Sequence, residues 1–181
     1  MKNLISYIKE SLLDDEDVLM KDTGDKAIKN EILKFLKENY FQGDRCKISK
    51  KPINGKYIVD CNTSLEVKNK NITSLTNEYF EFGVVNGNFN CLYCDFLTTL
   101  KGAPKKVGGD FYCYRCSSLT TLKGAPKKVG RDFYCYRCSS LTTLKGAPKE
   151  VGRDFYCTEC KQQFNEKDVK NESKVNGKII C

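Results

Sequence analysis

Residues 107–128 read VGGDFYCYRCSSLTTLKGAPKK, and residues 129–150 read VGRDFYCYRCSSLTTLKGAPKE. The two segments are nearly identical, and their spacing continues on both sides without a gap. Phe89, Phe111, Phe133 and Phe155 are each 22 apart, as are Cys91, Cys113, Cys135 and Cys157, and again Cys94, Cys116, Cys138 and Cys160. Val85, Val107, Val129 and Val151 keep the same step, as do Leu97, Leu119 and Leu141, then Leu100, Leu122 and Leu144. A short fixed period marks a stacking solenoid, in which one unit cannot bury its apolar face except against the next.

Spacing inside the unit predicts the path of a coil. Phe111 and Cys113 are two apart, so on a short strand they share the inner face while Tyr112 and Tyr114 point outward. Cys116 turns the chain inward again, and Leu119 and Leu122 fill a return arm. Gly102-Ala103-Pro104 and Gly108-Gly109 supply corners, because Gly accepts positive φ and Pro presets φ. This predicts one short parallel strand per coil, stacked at about 4.8 Å.

Degenerate units flank the array. Leu65-Glu66-Val67 followed by Ile72-Thr73-Ser74-Leu75 repeats the strand-and-arm logic at shorter spacing. Val175-Asn-Gly-Lys-Ile179-Ile-Cys181 matches Val151-Gly-Arg-Asp-Phe155-Tyr-Cys157 at a step of 24, and the extra length predicts a short helix over 165–171. Ile53-Asn-Gly-Lys-Tyr57-Ile-Val-Asp-Cys61 reads as a strand or hairpin with an Asn-Gly turn. Two amphipathic stripes precede the array, one of Leu4, Ile5, Ile8 and Leu12, the other of Ile28, Ile32, Leu33, Leu36 and Tyr40. Between them runs Asp14-Asp15-Glu16-Asp17, a solvated acidic linker; it lacks the alternation and Gly of a calcium loop. The expected division is two helices with that linker over 1–45, cap strands and a degenerate repeat over 46–84, regular repeats over 85–160, and a cap of short helix plus strand over 161–181.

Composition narrows the chemistry. The chain has 181 residues, a net charge of +8, 11 Cys and no His. Without imidazole there is no Ser-His or Cys-His nucleophile pair and no mixed Cys/His metal site. No phosphate-cradling Gly loop and no paired carboxylates in a cleft stand out, so the expectation is a non-catalytic protein without a cofactor. No window approaches about 18 consecutive apolar residues, and no secretory h-region opens the chain, so neither a membrane partner nor export is expected. A reducing compartment then keeps the cysteines as thiols.

The spacing C91-x2-C94-x18-C113-x2-C116 fits a four-thiolate zinc site and supports an alternative, a zinc-dependent nucleic-acid binder. Against it, the pair recurs in phase with core positions, its first thiol shares the inner face with Phe, and it straddles strand and corner rather than an isolated turn. Buried thiol ladders are the favoured reading. Disulfides between stacked Cys fit less well, because parallel Cβ vectors suit the bridging dihedral poorly.

The pattern F-x-C-x-x-C-S-S-L-T-T-L-K-G-A-P-K-x-V-G resembles a short leucine-rich repeat of bacterial and phage type. It is similar to phage-encoded repeats carrying L-T-S-L-x-G-A-P-x-x-V-G-G-x-F-x-C over residues 61–160, and less closely to the C-S-S-L-T repeats of bacterial surface adhesins. The resemblance implies an α+β chain: a right-handed leucine-rich-repeat-like solenoid with one short parallel strand per 22-residue coil, preceded by a small helical region. It implies a phage-encoded scaffold in the host cytoplasm or the virion, or alternatively an adhesin-type repeat lacking its signal. Met1 to Glu10 is similar to the capsid-targeting leaders of internal phage head proteins, with Ile8-Lys9-Glu10 as the implied maturation cleavage triplet.

Outward positions form columns too. Tyr112, Tyr134 and Tyr156 make one, Tyr114 and Tyr136 another, with Arg115 and Arg137 following. Lys101, Lys123 and Lys145 line one edge and Lys105, Lys127 and Lys149 a second. From 102 to 153 there are eleven Lys/Arg against three Asp/Glu, whereas 1–40 has seven against nine. Tyr with Arg suits a protein interface, and Lys with Tyr suits a nucleic acid. Duplication alone would also turn any surface residue into a column. The expectation is a protein partner, from the virion or the host, bound through Tyr112, Tyr114, Tyr134, Tyr136, Tyr156, Arg115 and Arg137.

Overall fold

A computed structural model describes residues 19–181, with side chains described from Gly24 onward. The expected first helix, the acidic linker and the leader-like segment lie outside the described residues. Helix α1, Leu19–Asn39, comes first, followed by strand β1 (Tyr40–Phe41), a 3-10 turn at Gly43–Arg45, β2 (Cys46–Ile48), β3 (Tyr57–Cys61), β4 (Leu65–Val67) and β5 (Phe80–Val85). The array continues through β6 (Phe89–Asn90), β7 (Lys106–Val107), β8 (Phe111–Tyr112), β9 (Lys128–Val129), β10 (Phe133–Tyr134), β11 (Glu150–Val151) and β12 (Phe155–Tyr156). Helix α2 (Glu166–Glu172), β13 (Lys174–Val175) and β14 (Ile179–Ile180) complete it.

The strands build a parallel β-solenoid of about six coils of about 22 residues. They form two sheets of seven strands each, ordered β1-β4-β6-β8-β10-β12-β14 and β13-β11-β9-β7-β5-β3-β2. This corrects the expectation of a single strand per coil: each regular coil contributes two. The second is the two-residue strand that follows Gly-Ala-Pro-Lys, Lys-Val in β7 and β9 and Glu-Val in β11. Its first residue is exposed and its β-branched Val buried, and Val85, Val107, Val129, Val151 and Val175 pair in register.

Between the sheets lies one column per repeated apolar position. Phe89, Phe111 and Phe133 stack at 5.5 and 5.4 Å with nearly parallel rings, and Phe155 follows at 5.0 Å. The Val, Leu and strand Cys columns are buried beside them. Each Phe or Leu so buried contributes about 1.5–3 kcal/mol relative to exposure. The corner after Val is a backbone contact: a methyl on Gly130 would overlap the Gly108 carbonyl oxygen, and one on Gly152 that of Gly130.

Both ends depart from the repeat. Ile32 and Leu36 of α1 are buried, but Leu33 is 38% exposed and Phe35 packs in its place, edge-on to Phe80 at 5.8 Å. Tyr40, expected on the helical stripe, lies on β1. The Asn39 amide bonds the Phe35 carbonyl at 2.8 Å, and Tyr40 then pairs antiparallel with Val67 and sets its ring against Phe82 at 5.3 Å. At the other end Asn165 caps α2 through a capping box with Asp168, and Ile179 stacks on Phe155 at the expected offset.

One pair corrects the expectation of uniformly free thiols. Cys46 and Cys61 face each other across the antiparallel β2–β3 pair, Cα atoms 4.2 Å apart, and form a disulfide. Antiparallel pairing points their Cβ atoms at one another, which the parallel columns cannot do. The other nine cysteines are free.

Candidate protein-binding face

The outer face of the first sheet carries the tyrosines. Tyr112, Tyr134 and Tyr156 occupy β8, β10 and β12 in register, with ring centroids 4.9 and 4.6 Å apart and interplanar angles of 6° and 14°. Tyr114 and Tyr136 stack beside them at 4.6 Å and 7°, edge-on to the first column at 6.3 and 6.4 Å. All five side chains are half-buried. The expected columns are therefore present, although Tyr114 and Tyr136 stand just past the strands, on the turn.

The arginines are placed differently from the expectation. Arg115 and Arg137 are not on the sheet but at the corner, in left-handed backbone conformation at φ 56° and 57°, as are Tyr93 and Glu159 at the same point of their coils. This turn swings Cys116 and Cys138 back into the core. Each guanidinium is engaged along the stack: Arg115 Nη1 donates to Tyr93 Oη at 2.7 Å with the guanidinium over that ring, and Arg137 Nε donates to Glu159 Oε2 at 2.9 Å. The Arg137 charge is therefore paired within the protein, whereas Arg115 meets a neutral phenol and its ring.

The lysine columns also lie off the tyrosine sheet. Lys101, Lys123 and Lys145 end the return arm, and Lys105, Lys127 and Lys149 precede the strands of the second sheet; all six are exposed. Lys105 pairs with Glu81 at 2.8 Å and Lys149 with Glu172 at 3.7 Å. The tyrosine face is thus aromatic, with the lysine columns on other edges.

Sequence reasoning missed what holds the rings. Tyr112, Tyr134 and Tyr156 donate their hydroxyls to Oδ2 of Asp110, Asp132 and Asp154 at 3.0, 3.2 and 3.3 Å. The other carboxylate oxygen accepts a backbone N–H of the next coil: Asp132 N–H to Asp110 at 3.0 Å, Asp154 N–H to Asp132 at 2.9 Å, Lys178 N–H to Asp154 at 2.7 Å. Asn88 does the same for Asp110. The signal was available, since Asp110, Asp132 and Asp154 keep the 22-residue step. Burial and the neighbouring carboxylate push the Tyr112 hydroxyl up to about 12 and raise those of Tyr134 and Tyr156.

The cysteines serve the stack. Cys116, Cys138 and Cys160 donate S–H to the carbonyls of Cys91, Cys113 and Cys135, each at 3.2 Å. Cys91 and Cys135 donate to the carbonyls of Tyr112 and Tyr156 at 3.3 Å. Burial raises Cys91, Cys113 and Cys135 far above the ordinary thiol value, Cys94 to about 11 and Cys138 to about 12, so these sulfurs are poor nucleophiles at neutral pH. The four-thiolate grouping that the C-x2-C spacing allowed does not assemble: among the described residues no group of three or more His, Cys, Asp or Glu is placed to hold a metal ion.

Compared with known protein families, curated proteins and solved structures, the chain finds no match.

Proposed function

We infer that this chain is a non-catalytic scaffold that binds another protein through the paired columns Tyr112–Tyr134–Tyr156 and Tyr114–Tyr136. The observation that carries this reading is the ordered presentation of five tyrosines side by side, three on the strands of one sheet and two on the adjoining turns. Stacking orders both columns before a partner arrives, and the Asp hydrogen bonds fix the rings of the first, so little side-chain entropy is lost on binding. Tyrosine offers large apolar area at low entropy cost, which is why it anchors protein interfaces. Arg115 and Arg137, held by Tyr93 and Glu159, border the face, and only Arg137 has its charge met by a carboxylate. The resemblance of the repeat motif to phage-encoded repeats supports a partner from the virion or the infected cell.

The test is affinity capture on the intact chain, followed by titration of the purified captured protein. Replacing Tyr112, Tyr134 and Tyr156 together by Ala should abolish binding while circular dichroism shows the solenoid retained. Binding should change little between about 50 and 200 mM salt. A loss of two or more orders of magnitude over that range would identify a nucleic-acid contact instead.

A further inference from the structure

Regular stacking breaks where the first coil meets the Gly-Ala-Pro coils, as it does at the other end where α2 replaces the arm. In later coils each such corner rests on the one before it: Gly124 abuts Leu100 and Lys101, and Gly146 abuts Leu122 and Lys123. Gly102 abuts Leu75 and Thr76 in the same manner, but there the chain goes on as Asn-Glu-Tyr-Phe, with no Ala-Pro to lie beneath Ala103. The result is a cavity of about 310 Å³. Its floor is apolar and belongs to the core, with Leu75, Phe80 and Ala103 all buried. Lys56, Lys101 and Lys105 surround it, against the single carboxylate of Glu81, which is three positive charges less one negative, or +2. Lys105 Nζ holds Glu81 at 2.8 Å, and Lys56 Nζ donates to the Asn77 carbonyl at 2.6 Å, a bond that keeps its ammonium at the rim.

We propose that this cavity binds a small organic anion with a compact apolar body, a carboxylate or sulfonate joined to an aromatic or branched hydrocarbon group. The apolar part occupies the space of the missing Ala-Pro pair, and the anionic part meets the ammonium groups. A simple inorganic anion would leave the apolar floor wet, and a neutral hydrocarbon would leave the charge excess uncompensated. Among the described residues the site occurs once. Lys123 with Lys127, and Lys145 with Lys149, flank corners that rest on a preceding Gly-Ala-Pro.

The probe is 1-anilinonaphthalene-8-sulfonate, titrated into the full chain at low salt with fluorescence as readout. Expected is one saturable site per chain, with amide NMR shifts centred on Leu75 and Ala103. Lys101→Glu, which reverses one charge, and Thr76→Trp, which fills the space, should each weaken binding about tenfold or more, and so should raised salt. Both positions are exposed, so the fold should persist, with circular dichroism as the check. The uncharged N-phenyl-1-naphthylamine should bind about tenfold more weakly or not at all. Absence of saturation, equal binding of the uncharged dye, shifts centred elsewhere, or indifference to both substitutions would overturn the proposal.

Discussion

Asp132 serves two neighbours at once, the Asp154 N–H at 2.9 Å and the Tyr134 hydroxyl at 3.2 Å, with only 6% of its surface exposed. Asp132→Ala strands both donors and should cost about 1–3 kcal/mol, read as a lower midpoint in urea. Asp132→Asn should cost much less, since Asn88 already accepts the Asp110 N–H at 2.8 Å; equal losses in the two variants would contradict this account. The thiols set a second expectation. Free thiols titrate near 9.0, whereas Cys94 is pushed to about 11 and Cys138 to about 12 in the folded chain. Their protonated form is the one the fold favours. Its stabilisation is therefore complete below pH 9 and is lost as pH rises through the window from 9 to 12. The thermal midpoint should fall progressively from pH 9 to 11, tracked by circular dichroism. At this scale the inward Phe, Cys, Leu and Val were all legible, because burial alone fixes their type. The aspartates were not, because a carboxylate beside a corner reads as solvated until a neighbouring coil supplies its N–H.

Between elements, what could be read depended on length and on the cap. Helix α2 was expected because seven residues with a strong Asn165/Asp168 box suffice to define it. The two-residue strands of the second sheet were not, because two residues of alternation carry no period; only their repetition at Val107, Val129 and Val151 makes a sheet. Tyr40 fitted a helical stripe by spacing and was taken out of it by pairing with Val67, a contact from beyond the local window. The β2–β3 hairpin carries the disulfide, which spans a sequence separation of 15 and should contribute about 3 kcal/mol through the unfolded chain. Reduction, or Cys46→Ser with Cys61→Ser, should lower the urea midpoint accordingly, while alkylation of the native protein should leave the buried thiols of Cys113 and Cys135 slow to react.

For the molecule as a whole, coils that touch only their neighbours make stability nearly a sum of repeat and interface terms. Excising residues 107–128 removes one 22-residue coil and leaves Phe89 to stack on Phe133. The shortened chain should fold cooperatively, with a parallel-β spectrum and a reduced midpoint. Failure to fold would show that the regular coils are not interchangeable. The tyrosine columns were foreseeable at this scale because repetition projects any outward residue into a line. The aromatic face and the lysine edges could not be separated from one strand per coil, since the corner that parts them is the second strand. Interchangeability also has a kinetic consequence. A chain that slips by one repeat while zipping up meets chemically almost the same surface, so the middle of the molecule cannot tell a correct alignment from a displaced one. The 24-residue offsets at Leu65–Phe89 and Phe155–Ile179 can, and the two unlike ends thereby act as the phase reference for everything between them.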